Sequence, residues 1–255
     1  MSSDNFGLIS IIMAAYNAEK TIGFAIESVL NQTYKNFELV IVNDCSKDDT
    51  KAIIESYAEK DGRIKLISNK ENSGVSLTRL EALKNCSGEW IAILDSDDAW
   101  MPDKLDRQIE LQQIKNADLV FTGVKYIDSE GSNIDWELKV PEQIGYKRLL
   151  KQNLITNSSA LVTKALYSSH YSIGDSMHED FAMWLSILKS GIIAYGIDDP
   201  LTIYRVSANS KSGNKLKSAV MNWKTYRFIG LNVFESTYYM IWYTVNGILK
   251  YKNLK

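Results

Sequence analysis

The chain has 255 residues, 45% hydrophobic and 24% charged, proportions ordinary for a folded globular protein of one large domain or two small ones. Lys and Arg total 29 against 31 Asp and Glu, a formal net charge of −2, so electrostatics give no reason to expect nucleic acid as a partner. Cys45 and Cys86 are too few for a disulfide framework or a zinc site and read as reduced thiols.

MSSDNFGLIS at the N-terminus lacks the basic and long apolar regions of a signal peptide. No window reaches the roughly 18 uninterrupted apolar residues of a membrane span, so the expected location is the cytoplasm. Strand predictions follow at 8–14 (LISIIMA), 37–42 (FELVIV), 63–68 (RIKLIS) and 90–94 (WIAIL). Each is a continuous apolar run, the pattern of strands covered on both faces. Helical spacing separates them: Ile22, Ile26, Val29 and Leu30; then Ile53, Ile54 and Tyr57; then Leu77, Leu80 and Leu83. SKDD at 46–49 has the form of a capping box for the second helix. Pro102 suits the first turn of a fourth. Strand and helix in alternation imply right-handed βαβ units and a mostly parallel sheet flanked by helices.

Beyond residue 116 the pattern is less regular. ADLVFTGVKYID (117–128) reads as a strand or strand pair ending in a turn at SEGSN, and SSALVT (158–163) as another strand. HEDFAMWLSILKSG (178–191) reads as an amphipathic helix with Phe181, Trp184, Leu185 and Leu188 on one face and Gly191 as its stop. IIAYGI (192–197) and LTIYRV (201–206) read as closing strands. From 214 the chain is helical in pattern and aromatic-rich, interleaved with Lys215, Lys217, Lys224, Arg227, Lys250, Lys252 and Lys255. It reads either as a helix pair docked on the domain or as a segment lying on a membrane surface.

Parallel sheets bind ligands at the carboxyl ends of their strands. That rule selects AAYN, NDCS, NKENSG and DSDD, at the ends of the four predicted strands. Neither G-x-G-x-x-G after the first strand nor G-x-x-x-x-G-K-[ST] is present, so phosphate must be held otherwise. Asp-x-Asp at a strand end offers a way: carboxylates hold Mg2+ or Mn2+, and the cation neutralises a diphosphate.

AAYNAEKTI, VNDCSKDDT, NSGVSLTRLEALKNCSGEWIAILDSDDAW and HEDFAMWL, in that order, resemble the inverting glycosyltransferases of family 2, with their GT-A fold. The resemblance spans about 8–206, and within the family the chain is similar to bacterial enzymes of surface polysaccharide and teichuronic acid synthesis. It implies an α/β nucleotide-diphospho-sugar transferase domain over 1–213, with a nucleotide-binding half at about 1–100 and an acceptor half at about 101–213. A helical, aromatic-rich extension would follow at 214–255. The implied roles place Ala15 and Tyr16 beside the nucleobase, with Asp44 hydrogen-bonding it. Arg79 and Ser96 would line the nucleotide pocket, with Asp95 near the ribose and donor sugar. Asp97 would bind the Mn2+ or Mg2+ ion, Asp180 would be the general base and Glu179 would orient the acceptor or the sugar. The implied partners are a nucleotide-diphosphate sugar donor and a glycan or lipid-linked glycan acceptor, with peripheral contact at the inner membrane a further reading. Ala14, Asn43, Asp49 and Ser207 depart from the family pattern; the last stands where many relatives carry a possible histidine metal ligand.

Competing readings remain open from the residues themselves. Asp44 could serve only as a helix cap, Arg79 could be a surface partner of Glu81 or Asp48, Tyr16 could be core, and His170 and His178 could be incidental. A sugar nucleotidyltransferase would want a glycine-rich loop where AAYNAEK has none. A non-catalytic subunit of a polysaccharide assembly complex would not need both Asp97 and Asp180.

Overall fold

A computed structural model describes residues 6–174, 176–206 and 215–252. Strands β1 (Ile9–Ala15), β2 (Phe37–Asn43), β3 (Ile64–Ser68) and β4 (Trp90–Ile93) are parallel and joined by helices α1 (Ile22–Leu30), α2 (Thr50–Ala58) and α3 (Val75–Lys84). After them come β5 (Ala99–Trp100), α4 (Lys104–Lys115), β6 (Leu119–Ile127), β7 (Asn133–Leu138), β8 (Gln143–Ile144) and the short α5 (Tyr146–Leu149). Then β9 (Leu161–Thr163), α6 (Lys164–Ser169), α7 (Glu179–Lys189) and β10 (Ala194–Arg205) complete the sheet, and α8 (Lys215–Phe228) and α9 (Val233–Lys252) follow. The sheet runs β3-β2-β1-β4-β9-β6-β10-β5, with β7 on β6 and β8 on β10. β9 lies antiparallel between β4 and β6 and so joins the parallel half to the rest.

Alternation along the strands explains the continuous apolar runs. Ile9, Ile11 and Met13 of β1 pack with Ile22, Ile26 and Val29 of α1. Ile12, with Val40 and Val42 of β2, packs on the opposite face with the cluster that includes α7. Both faces are covered, so the strands are largely apolar, and the polar side chains they do bury are paired, as the Ser10 hydroxyl is with the Glu38 carboxylate (2.5 Å).

Several local expectations are corrected. SKDD forms no capping box: N-cap Asp49 makes no side-chain cap bond. Asp48 instead accepts hydrogen bonds from the Thr50 N–H (3.1 Å), the Thr50 hydroxyl (2.6 Å) and the Glu19 N–H (3.1 Å), tying two loops together. A reciprocal box does form at α9, where Asn232 and Glu235 exchange bonds of 2.9 Å in both directions. Pro102 lies outside α4, ahead of N-cap Asp103, and its carbonyl accepts the Thr33 N–H. The two closing strands are one, β10, with a register shift between Ile197 and Thr202.

Helix α7 is buried beyond its predicted face. Ala182, Met183 and Ile187 are covered as fully as Phe181 and Trp184, because the α8–α9 pair closes over it. Phe181 meets Tyr226 of α8 at 6.1 Å and Tyr243 of α9 at 5.8 Å between ring centroids. Tyr226 is buried and donates its hydroxyl to the Leu150 carbonyl. The tail is therefore a docked helix pair. The boundary expected at 213/214, Ser207 and Lys255 lie outside the described residues, as do the side chains of Lys215, Lys250 and Lys252. No helix among the described residues is long and apolar enough to cross a membrane.

Candidate active site

The carboxyl ends of the parallel strands open into a cavity of about 800 Å³. Ala15, Tyr16, Asp44, Arg79, Asp95, Ser96, Asp97, Glu179 and Asp180 all line it. Residues from far apart in the sequence thus share one crevice, as the strand-end rule requires.

Two loops are locked together on the β1–β2 side. Each turns through a left-handed residue, Asn17 (φ 48°) and Cys45 (φ 60°). The Asn17 N–H donates to Ser46 Oγ, and Asn17 Oδ1 accepts the Lys47 N–H. Tyr16 is 49% exposed at the rim, a surface-facing ring and not a core residue. Asp44 is buried and caps no helix immediately after it. It reaches across to the loop before α3, where Oδ1 accepts the Ser73 N–H (2.9 Å) and Asn69 Nδ2 (2.8 Å) and Oδ2 accepts the Gly74 N–H (3.0 Å). Gly74 stands at φ 81°, a conformation suited to glycine.

Arg79 is buried and pairs with neither Glu81 nor Asp48. One guanidinium nitrogen lies 2.6 Å from Asp95 Oδ1 and another 3.2 Å from Glu179 Oε1. Burial opposes its charge, but the two carboxylates outweigh it and hold the group protonated, above its usual range. A single side chain therefore fastens the acidic strand end to the start of α7.

The acidic cluster resolves into separate tasks. Asp95 faces Arg79, and its N–H donates to Ser158 Oγ at 3.2 Å. Asp98 is fully buried: Oδ2 accepts the Ser158 hydroxyl (2.6 Å) and Oδ1 the Arg205 N–H (3.0 Å). Burial, then the charge of Asp97, push the Asp98 carboxyl well up. Its oxygens brace the loop and are not presented to a ligand. Asp97 is different. Its main-chain carbonyl accepts Arg205 Nε, while its carboxyl is pushed up to about 6 by burial and by Asp95. An acid whose charge is under-compensated, with oxygens that meet no side-chain hydrogen-bond partner among the described residues, is chemically suited to a hard cation. Among the described residues no group of three or more His, Cys, Asp or Glu could hold a metal alone.

Asp180 sits in the first turn of α7, half-buried, and its carboxylate accepts no hydrogen bond among the described residues. His178, two residues before it, lines the cavity, and its Nε2 lies 3.2 Å from Ser218 Oγ on α8. His170 is outside the cavity and bonds to Ser169 and the Leu166 carbonyl.

Sequence reasoning missed the residues that complete the enclosure. Asn157, which lines the cavity, belongs to a short 3-10 turn (Asn157–Ser159) whose side chains have no periodic signature. Tyr126 and Tyr204 are strand aromatics that look like core. Ser218 and Asn222 of α8 and Tyr243 of α9 bring the tail into the cavity wall.

Comparison with known proteins agrees with this architecture. The model of "Glycosyl transferase family 2" matches residues 10–170. TuaG of Bacillus subtilis (strain 168), whose name assigns it provisionally as a teichuronic acid biosynthesis glycosyltransferase, is 35% identical over 95% of this chain and 97% of its own length. WfgD of Escherichia coli, a UDP-Glc:alpha-D-GlcNAc-diphosphoundecaprenol beta-1,3-glucosyltransferase, is 37% identical over 97% of this chain and 98% of its own. The crystal structure of S. aureus TarS residues 1–349 in complex with UDP-GlcNAc superposes with a TM-score of 0.72, covering 92% of this chain and 71% of that one at 20% identity. With its parallel N-terminal half-sheet, its strand-end cavity and these matches, the chain belongs to glycosyl transferase family 2 and is a glycosyltransferase of GT-A fold.

Proposed function

We propose that the enzyme transfers a hexose from a UDP-linked donor, with inversion, to a hydroxyl of a lipid-diphosphate-linked acceptor during assembly of a bacterial surface polysaccharide. The likeness to WfgD over nearly the whole of both chains supports the donor and acceptor classes. In this reading the N-terminal half, to about residue 100, holds the nucleotide. The part from about 101 to 213 faces the acceptor, and the enzyme works at the cytoplasmic face of the membrane that carries that acceptor.

The observation that carries the reading is one cavity lined by both Asp97 and Asp180. Asp97, with Asp95 beside it, would hold Mn2+ or Mg2+. The ion, when bound, supplies positive charge to the departing diphosphate. Arg79 fixes Asp95 and Glu179 relative to each other, which orients the donor-facing and acceptor-facing acids as a unit. Asp44 shapes the nucleoside pocket by holding the 69–74 loop, and Tyr16 offers an exposed ring beside it. Asp180 accepts the proton of the attacking hydroxyl. Its carboxylate has no competing hydrogen bond among the described residues, so it is available as an acceptor.

The decisive experiment is Asp180→Asn in purified protein with Mn2+, assayed by mass spectrometry against UDP-hexoses and a lipid-diphosphate sugar acceptor. Donor affinity should be retained while transfer falls by about 10²–10⁴, the range for loss of a positioned base. Turnover like that of the unaltered enzyme removes Asp180 from its role. Absence of donor binding and hydrolysis across the common nucleotide sugars overturns the reading as a whole.

A further inference from the structure

The outer face of α9 carries an apolar stripe, flanked by exposed Thr237 and Thr244. Phe234, Tyr238, Ile241, Val245 and Ile248 recur at alternating steps of four and three, with Trp242 beside them, and they are 87%, 50%, 60%, 42%, 58% and 38% exposed, respectively. The opposite face of the same helix is committed to the protein: Ser236 is buried, Tyr239, Met240 and Tyr243 pack on the core, and Asn246 donates to the Lys151 carbonyl. So contiguous an exposed apolar stripe marks an interaction surface.

We propose that this face of α9 rests on an anionic lipid surface, lying in the headgroup plane. The proposal rests on the acceptor reading above for its purpose, and on the following features for its content. The stripe carries rings with one polar edge, Tyr238 and Trp242, the side chains that settle at a membrane–water boundary. Its surroundings are cationic. Lys151 Nζ stands 5.0 Å from the Trp242 ring centroid, and on α8 the exposed run Leu216, Val220, Phe228 is punctuated by exposed Lys224. Glu235 is the acid of the described outer face, and its carboxylate accepts the Asn232 N–H as the helix cap. A basic apolar helix of this kind suits an anionic bilayer. A second copy pairing through the same face would bring like charges together. The placement also matches the chemistry. Tyr243, on the inner side of the stripe-bearing helix, lines the catalytic cavity, so a lipid-linked acceptor would meet the cavity wall where α9 meets the lipid.

Cosedimentation of the full chain with phosphatidylcholine vesicles, with and without a phosphatidylglycerol fraction, tests this. The full chain should pellet with the anionic vesicles and weaken with added salt. The triple variant Phe234→Ser, Ile241→Ser, Ile248→Ser should stay in the supernatant. Because these side chains are exposed, its melting temperature and its donor hydrolysis should match the parent. Lys151→Ala and Lys224→Ala should each lower partitioning about fivefold. The same substitution at exposed Ile114 on α4 (69% exposed) should change nothing. No pelleting by the parent, or undiminished pelleting by the triple variant, overturns the proposal. So does a concentration-dependent dimer in lipid-free buffer that the triple variant abolishes, since the stripe would then serve self-association. Sugar transfer is read separately. Failure of transfer to a detergent-dispersed lipid-diphosphate sugar, alongside vesicle binding, counts against the acceptor reading and not against the surface.

Discussion

Replacing Arg79 with Met should test how the two halves of the site are held together. Arg79 is buried, and its partners differ in setting: the Glu179 side chain is 11% exposed and that of Asp95 29%. Removing one member of a buried ion pair costs about 3–5 kcal/mol, because a charge is left uncompensated. Here the cost belongs at the low end, about 3 kcal/mol, since water can reach Asp95 and relieve part of it. For a chain of this size that corresponds to a fall in Tm of about 6–12 °C, measurable by calorimetry and by urea unfolding. Arg79→Lys should recover less than half of the loss, because one ammonium cannot replace a fork that reaches both carboxylates. A double-mutant cycle of Arg79→Met with Glu179→Gln should show a coupling above about 1 kcal/mol. If Arg79→Met melts within a degree of the parent and the cycle is additive, the bridge does not hold the site.

Other expectations follow from local features. Asp97→Asn should fold normally yet lose the dependence of UDP affinity on Mn2+, so that in calorimetry a chelator weakens nucleotide binding by the parent and leaves the variant unchanged. Burial pushes the Cys86 thiol up to about 11, whereas Cys45 is partly exposed. A thiol reagent near pH 8 should therefore label Cys45 alone in the folded protein, with Cys86 reacting only after unfolding, because the thiolate is the reactive form. Asn232→Ala breaks the reciprocal cap of α9 and should cost about 1 kcal/mol, seen as faster amide exchange in the first turn of that helix.

The N-terminal half was legible because its physics is local. Strands covered on both faces are largely apolar, and β1–β4 fall within about one residue of the runs that announce them. Legibility failed where distant contacts override local pattern. Asp198, Asp199 and Pro200 look like a break between two strands. Yet β10 passes through them, with the Asp198 carboxylate accepting the Val140 N–H and Asp199 pairing with Arg107. SKDD has the letters of a capping box, but Asp48 is drawn to Glu19 and Thr50. NVFE at 232–235 has the same form and makes the box. Within the site, acids at strand ends could be located from the chain alone, but not told apart. That Asp98 is a brace, while the Asp97 carboxyl meets no side-chain partner among the described residues, depends on Ser158 and Arg205, far along the sequence.

The closure of α8 and α9 over α7 has a practical bearing on how the protein is handled. Shortening the chain before residue 214 would strip Tyr226 and Tyr243 from Phe181 and uncover the flank of the segment that bears Asp180. On the proposed role of Asp180, a trimmed version would therefore lose turnover through damage to that segment's support, whatever it did at a bilayer. Point changes on the outside of the tail, not deletions, are the way to separate attachment from chemistry in this enzyme.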